Sequence, residues 1–377
     1  QKFLKKAARA GCEYVVLEVS SHSLDQNRAW GTDFDVAVIT NVTREHLDYH
    51  ETMEEYARAK ERLFEIVSKN PNGASVVNLN AEFAENFLKY EAKEIYGYGI
   101  KFPISNFQFP TKSQITNPKI ENIVAEETEL GINYSKFKIQ NSKFFLNMPG
   151  EFNIENALAA TCVGLSQGIP LEKISASLAK LKGVPGRMEK IENDKNIEII
   201  VDYAVTPDSL EKLYNYLDGI KKEESKIISV FGSCGERDRG KRSIMGEIVS
   251  KHADYCIVTN EDPYREDPVR IINEVFSGVV GSDFPKARLF PSSSEALRIP
   301  QSQALENTKT EGVNAFRILD RKEAIKKALA LAGPGDIVVV TGKGAEEVMV
   351  VGDERIPWND PKVIREVLRK TESGKNR

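Results

Sequence analysis

Five short runs of β-branched and other apolar residues, Ile197–Tyr203, Lys226–Phe231, Tyr255–Thr259, Phe316–Leu319 and Asp336–Thr341, are separated by helical patterns rather than by hairpin turns. Strands joined through helices must run parallel, and a parallel sheet must be covered on both faces. The first half repeats the arrangement with Tyr14–Val19, Val36–Thr40 and Ala74–Leu79. Between Tyr96 and Met148 the character changes to short alternating segments, Phe107–Phe109, Gly131–Ile139 and Lys143–Met148, which read as a small antiparallel patch. Helical sequence returns at Asn156–Gln167 and Leu171–Leu181, and Gly183-Val184-Pro185-Gly186 then marks a boundary of turn formers without periodicity. At 377 residues the chain is too long for one ordinary core. The expectation is an α/β chain of two domains: 1–184 a partial parallel-sheet domain with an antiparallel patch, and 185–377 a Rossmann-like domain. The polar stretch Pro291–Asn314 reads as a surface insertion, and Thr371–Arg377 as a frayed tail.

Composition removes several classes of function. The net charge is −4 and no basic stripe is present, which argues against nucleic acid as a partner. No apolar run approaches the roughly 20 residues that span a bilayer, and no signal peptide is evident. The four cysteines (Cys12, Cys162, Cys234, Cys256) form no CxxC pair and read as reduced, which fits the cytoplasm.

In open α/β sheets ligands bind at the C-terminal ends of the strands. Glu18-Val19-Ser20-Ser21-His22 closes one apolar run, and Thr40 to His50 closes the next; together they hold three of the four histidines, which marks this edge as a site. In the helix expected over Thr52–Val67, Lys60 falls on the apolar face with Tyr56 and Phe64, four residues from each. Such a lysine either snorkels to water or is chemically changed. A lysine kept neutral by apolar surroundings can add carbon dioxide, and the resulting carbamate is an oxygen ligand suited to Mg²⁺. Glu18 and His46 then become candidate co-ligands. His46 and His50 also share the i, i+4 spacing of a zinc site, but Leu47 stands where that motif needs glutamate.

Three loops follow predicted strands or open helices. Gly235-Glu236-Arg237-Asp238-Arg239-Gly240-Lys241-Arg242 approaches a phosphate loop but ends in Arg242 where Ser or Thr is required. Its cations suggest an anion site at a helix start, against the alternative of a solvated basic loop. No complete GxxxxGK[ST] occurs, which counts against a self-contained ATPase. Asn153 and Asn156 look like helix-start residues, with capping the simpler reading and adenine contact the sharper one. Gly342-Lys343-Gly344-Ala345-Glu346 reads as a further strand-to-helix turn.

Taken in order, EVSSH, TNVTREHLDYH, the Lys60 helix, GEFNIENALAA, GVPGRME, VDYAVTPDSL, FGSCGERDRGKR, TNEDPYREDP and GKGAE resemble the Mur ligase family, and most closely its UDP-N-acetylmuramoyl-tripeptide synthetases. The resemblance implies an ATP-dependent ligase that adds the third amino acid of the peptidoglycan precursor through an acyl phosphate. It implies a magnesium site of Glu18, His46 and carbamylated Lys60, and contacts to UDP-N-acetylmuramoyl-dipeptide from Ser20, Gln26 and Arg28. It places Asn41, Asn153, Asn156, Arg187 and Asp202 on ATP. It assigns the incoming free amino acid to Arg237, Gly342 and Glu346, with Asp262, Tyr264 and Arg265 in the selector segment.

Three departures qualify that likeness. The family's UDP-binding domain and phosphate loop belong before Gln1, so the chain as given is expected to bind ATP poorly. Val205 replaces a histidine of the family's DYAHTPD segment. The selector that reads DNPR in diaminopimelate enzymes reads Glu261-Asp262-Pro263-Tyr264 here, and tyrosine cannot grip a distal carboxylate with two parallel bonds as arginine does. Tyr264 thus counts against diaminopimelate and leaves lysine or another amino acid open. The rival readings are a relative acting on a different carboxylate, such as a folylpolyglutamate or cyanophycin-type ligase, and a non-catalytic protein of the same fold.

Overall fold

The computed structural model describes residues 2–100, 120–131, 133–281 and 309–373, and divides into two compact units, Gln1–Leu181 and Lys182–Arg377. Phe107–Phe109 and most of Pro291–Asn314 lie outside the described residues.

The first unit runs α1 (Lys2–Arg9), α2 (Ser21–Asp25), β1 (Val36–Ile39), α3 (Leu47–His50), α4 (Met53–Ser68), β2 (Ala74–Asn78), α5 (Ala84–Leu88), β3 (Glu94–Ile100), β4 (Ile120–Leu130), β5 (Ser135–Ile139), β6 (Ser142–Leu146), α6 (Glu151–Ser166) and α7 (Leu171–Leu178). Its six strands lie in sequence order, parallel from β1 to β4 and antiparallel from β4 to β6. Alternation along β2 shows how the sheet is filled. Val76 packs with Tyr98, Phe137 and α6 residues Ile154 and Leu158, whereas Val77 packs with Ile39, Phe87 and α4 residues Tyr56, Phe64 and Val67. Helices therefore cover both faces of the parallel part, as its continuous apolar strands require. Helix α4 starts where the Thr52 hydroxyl accepts from the Glu55 amide (3.2 Å), with Glu54 and Glu55 in the first turn favouring the helix dipole.

The run Tyr14–Val19 is not a strand. Tyr14 to Glu18 are exposed, Val16 to 95%, Val19 is half-buried, and β1 pairs with β2 alone. An apolar β-branched run becomes a strand only where a neighbour takes up its backbone groups and covers its faces, and none of the described residues does so. The patch between Tyr96 and Met148 contains, besides β5 and β6, the parallel strands β3 and β4, which the alternation did not reveal.

The second unit runs β7 (Glu189–Lys190), β8 (Glu198–Asp202), α8 (Pro207–Ile220), β9 (Ile227–Phe231), α9 (Lys241–His252), β10 (Tyr255–Thr259), α10 (Pro268–Val280), β11 (Ala315–Ile318), α11 (Arg321–Leu331), β12 (Ile337–Thr341), β13 (Val348–Val351), β14 (Glu354–Pro357) and α12 (Asp360–Ser373). The sheet order is β11-β10-β9-β12-β8-β7, parallel except for the antiparallel edge strand β7. After β9 the chain moves outward to β10 and β11, then returns to place β12 on the other side of β9. The switch between β9 and β12 opens a crevice at their C-terminal ends, the usual ligand position in such sheets. Ile199, Val201, Ile228, Val230, Val338 and Val340 pack on α11 and α12 through Ile325, Ile364 and Leu368. Helix α8 opens with a capping box between Thr206 and Ser209 and with Pro207 in its first turn. Helices α9 and α10 touch backbone to backbone, for a Cβ on Gly278 would lie 1.8 Å from the Ser243 carbonyl oxygen.

Two expectations fail in this unit. Gly342–Glu346 leads into the hairpin β13–β14 and not into a helix. The C-terminal helix continues through Thr371 to Ser373, where a frayed tail was expected.

Candidate functional site

In the first unit, α2 and α3 gather the three histidines around one ring. The His22 imidazole lies 4.8 Å from that of His46 and 5.4 Å from that of His50, with Tyr49 at 4.2 Å. His46 sits in the left-handed region (φ 59°) at the start of α3 and makes no side-chain cap bond to it. His50 is buried and its Nε2 lies 2.9 Å from the Ser21 hydroxyl, so it is held by a structural bond. Tyr56 closes the cluster, 6.0 Å from His46 and 5.5 Å from His50.

Lys60 lies one turn along α4, its ammonium 4.9 Å from the Tyr56 ring centre. Burial pulls its pKa down, partly opposed by the carboxylates of Glu45 and Glu18. His46 is likewise depressed by burial, although Glu45 Oε2 stands 3.9 Å from its Nε2. Glu18 is exposed on the segment expected to be a strand, and its field reaches Lys60. Among the described residues no group of three His, Cys, Asp or Glu side chains is arranged to hold a metal ion.

Ser20 caps α2, accepting from the Ser23 amide. Gln26 donates to the Tyr49 hydroxyl (3.2 Å) and accepts from Arg28, while Tyr49 donates to Asp25 (2.8 Å). Ser20, Gln26 and Arg28 thus lie at the two ends of one short helix, beside the histidine cluster. Asn41 is exposed just past β1. Neither asparagine of α6 is its cap: Gly150 occupies that position with φ 95°, buried Asn153 donates to the Pro149 carbonyl (2.7 Å), and Asn156 is exposed.

In the second unit the strand ends carry a dense polar network. Buried Lys343 bonds Asp262 at 2.7 Å and also Glu346, whose other oxygen accepts from the Tyr203 hydroxyl at 2.9 Å. Burial opposes the Lys343 charge, but Asp262 and Glu346 outweigh it and hold its pKa above the ordinary value. Asp262 also accepts from the Val350 amide (2.7 Å), tying the selector segment to the hairpin. Glu261 is buried, accepts from the Cys234 thiol (2.9 Å), and leaves its second oxygen without a partner among the described residues. Desolvation raises the Glu261 pKa. That oxygen packs against Gly342, where a Cβ would approach it to 2.3 Å; with φ 108°, glycine is required twice over. Behind these loops Arg321 and Asp360 form a fully buried forked pair, and Arg321 also donates to the Thr341 carbonyl. Arg187 stacks on Tyr203 at 4.5 Å, and Asp202 accepts from the Met188 and Ala204 amides at 2.8 Å each. Burial nonetheless raises the Asp202 pKa.

The basic loop before α9 is not an open anion cradle. Buried Arg242 bonds Glu266, Glu274 and the Cys234 carbonyl, Arg239 pairs with Glu274, and buried Lys241 donates to the Val205 carbonyl. Desolvated cations demand counter-charges, and acids from β10's loop and α10 supply them. Arg237 remains at the surface, bonded to the Glu236 carbonyl and 5.1 Å above the Tyr264 ring. Tyr264 takes a left-handed conformation (φ 49°) and bridges to Val351, while Arg265 turns outward to Asp353 (3.0 Å).

Sequence reasoning passed over Tyr203, Lys343 and the Arg321–Asp360 pair. Lys343, between two glycines after a strand that is apolar up to Thr341, could have been found from that context; Arg321 and Asp360, at two helix starts 39 positions apart, could not.

Two parallel-sheet units that gather charged side chains at their strand ends define a ligand-binding α/β protein. Residues 1–164 match the Mur ligase middle domain, and residues 186–344 match the Mur ligase glutamate ligase domain. A UDP-N-acetylmuramoyl-L-alanyl-D-glutamate--2,6-diaminopimelate ligase of Syntrophomonas wolfei is 34% identical over 373 residues, 98% of this chain and 67% of that protein. A UDP-N-acetylmuramyl-tripeptide synthetase of Roseiflexus sp. is 35% identical over 380 residues, with the same shares. The structure of a UDP-N-acetylmuramoyl-L-alanyl-D-glutamate--2,6-diaminopimelate ligase aligns with a TM-score of 0.53 at 29% identity, covering 98% of this chain and 67% of that one. The chain belongs to the Mur ligase family, and spans about two thirds of the length of these relatives.

Proposed function

We propose that this protein is an ATP-dependent ligase of peptidoglycan synthesis, acting in the cytoplasm to join a third amino acid, 2,6-diaminopimelate, to UDP-N-acetylmuramoyl-dipeptide. The observation that carries the reading is the 34% identity running through 98% of the chain to a relative named for that reaction. Among the described residues no helix is long and apolar enough to cross a membrane.

The chemistry needs a carboxylate made electrophilic and an amine delivered to it. ATP phosphorylates the dipeptide's terminal carboxylate, the amine attacks the acyl carbon, and phosphate leaves. Gln26, Arg28 and Ser20 surround a polar surface suited to the UDP-linked substrate, with Tyr49 orienting Gln26. Glu18, His46 and Lys60 would hold Mg²⁺, which supplies compensation for phosphoryl charge. Lys60 fits this role through its environment: burial favours an uncharged amine, the form that adds carbon dioxide, and outweighs the preference of the Tyr56 ring face for the cation. Asn41, Asn153, Asn156, Arg187 and Asp202 belong to the ATP side in this reading. Arg237, Gly342, Glu346, Asp262, Tyr264 and Arg265 surround the amino acid, and Lys343 fixes the carboxylates of Asp262 and Glu346 in place.

The test is phosphate release by the full-length protein with ATP, UDP-N-acetylmuramoyl-dipeptide, and diaminopimelate, lysine or ornithine in turn. Release dependent on both the UDP substrate and an amino acid is the expected result. No release from folded protein that binds the UDP substrate would favour a non-catalytic relative.

A further inference from the structure

A cavity of about 330 Å³ lies against Tyr264, lined by Glu236, Arg265, Val350, Gly352, Asp353 and Arg355. It is built from three separate pieces of chain: the loop before α9, the selector segment and the β13–β14 hairpin. Their mutual position is fixed by main-chain bonds. The Tyr264 amide donates to the Val350 carbonyl (3.3 Å), and the Gly352 amide donates to the Tyr264 carbonyl (2.7 Å). The Glu236 amide is in turn anchored on Glu266 at 2.6 Å.

Four charged side chains face this space, and they divide into two kinds. Arg265 and Asp353 neutralise each other, Nε to Oδ1 at 3.0 Å. The Glu236 carboxylate and the Arg355 guanidinium have no ion-pair or hydrogen-bond partner among the described residues. One uncommitted anion and one uncommitted cation beside the same cavity match a ligand end that carries both an ammonium and a carboxylate. A plain alkylammonium such as the lysine side chain would satisfy Glu236 and leave Arg355 unused.

We propose that Glu236 and Arg355 form a split-charge clamp for a zwitterionic distal end of the incoming amino acid, performing from the loop and the hairpin the recognition that Tyr264 is unable to perform. This rests on the ligase reading of the same unit. The clamp makes the distal carboxylate of diaminopimelate a guanidinium ligand and its distal ammonium a carboxylate ligand. The reacting amine at the other end is left free for the acyl phosphate. Arg265 and Asp353 act as the pair that holds the hairpin to the selector segment.

Two measurements on the full-length protein test the clamp separately from catalysis. The first is KM and kcat for meso-diaminopimelate and for lysine in the phosphate-release assay, with wild type, Arg355→Gln, Arg355→Lys and Glu236→Gln. Arg355→Gln and Glu236→Gln are expected to raise the KM for diaminopimelate at least tenfold with kcat within about threefold. Arg355→Lys, which keeps the charge, is expected to recover part of the loss. The KM for lysine should not change with Arg355→Gln. An unchanged diaminopimelate KM in both neutral variants overturns the clamp, as does a wild-type preference for lysine. The second measurement is equilibrium binding of radiolabelled meso-diaminopimelate in the presence of ADP and UDP-N-acetylmuramoyl-dipeptide. Wild-type binding that is lost in Arg355→Gln supports the clamp even if turnover fails with every amino acid, a result that would count against the ligase reading alone. Absence of wild-type binding overturns the clamp.

Discussion

Replacing Asp360 by alanine should destabilise the second unit more than any other single carboxylate removal there. Both members of the Arg321–Asp360 pair are fully buried, and the fork is closed by Nε to Oδ1 at 2.9 Å and Nη2 to Oδ2 at 2.6 Å. The same guanidinium reaches the carbonyls of Thr341 (2.7 Å) and Asn260 (3.3 Å), the last residue of β12 and the first after β10. The Trp358 indole adds a further bond to Asp360 at 2.8 Å. Without Asp360 the cation stays buried with only carbonyl partners, a loss of about 3–5 kcal/mol. Against a total domain stability of about 5–15 kcal/mol this is a large fraction. With a urea slope of about 2 kcal/mol/M the midpoint of the second unit should fall by roughly 2 M. The double variant Arg321→Met/Asp360→Leu removes both charges and should recover at least half of the loss, because apolar replacements of buried pairs are often near neutral. Urea titrations followed by far-ultraviolet circular dichroism, with each unit's transition assigned by hydrogen exchange, would measure this. A shift for Asp360→Ala below about 0.5 M would refute the reasoning. So would a double variant no more stable than the single one. Because Arg321 holds the strand ends that carry Glu261 and Gly342, Asp360→Ala should also raise the KM for the amino acid at temperatures where the unit stays folded.

Lys60→Ala in the full-length protein should abolish phosphate release, with added bicarbonate giving no rescue; retained turnover would remove Lys60 from the site. Gly186→Ala should destabilise the second unit by about 2 kcal/mol or more, since its Cβ would lie 2.1 Å from the Ala345 amide nitrogen at φ 66°. A thermal midpoint within a degree of wild type would contradict that. Glu261 should give a pH signature. Its folded pKa is raised by burial, so the stability it contributes is present in acid and is lost as pH rises through the folded value. Glu261→Gln, a permanent mimic of the protonated form, should therefore gain on wild type between mildly acidic and neutral pH. Parallel stability curves for the two proteins would exclude a titrating Glu261.

The parts of the fold carried by local repetition were legible in the chain. β8 to β12 follow the five apolar runs, and α4 starts at the Thr52 cap, because strand burial and helix capping are written in adjacent residues. Tyr14–Val19 failed for the opposite reason: its composition states a preference, but a strand exists only when another segment lies beside it. The hairpin β13–β14 was missed because Gly342–Glu346 looks like a turn into a helix, and only the pairing of Val348 with Pro357 shows otherwise. In the site, Lys60 was visible from periodicity because its neighbours on one helix face are Tyr56 and Phe64. The gathering of His22, His46 and His50 was expected at two neighbouring strand ends, but Tyr14–Val19 is not a strand and the three meet through α2 and α3, as does the Ser21 bond that fixes His50. The buried charges of the second unit were not foreseen, since Arg321 and Asp360 become partners only through the packing of α11 on α12.

The loop Gly235–Arg242 shows why a count of charges misleads about what a site can bind. As a string it is cationic and invites an anion; as a structure it gives Arg242 and Arg239 to Glu266 and Glu274, and Lys241 to the Val205 carbonyl. The cost of burying a guanidinium makes that outcome necessary, because a buried cation left for a ligand would destabilise the empty protein by several kcal/mol. In the proposed clamp, selectivity comes instead from exposed groups. In the segment around Tyr264 those are Arg237, stacked on the ring, and Glu236 and Arg355 beside the cavity. Exchanging them costs the fold little, since surface charges contribute on the order of 1 kcal/mol or less to stability. In the proposed clamp the amino acid taken can therefore change without disturbing the network of Lys343, Asp262 and Glu346, in which only Lys343 and Asp262 are buried.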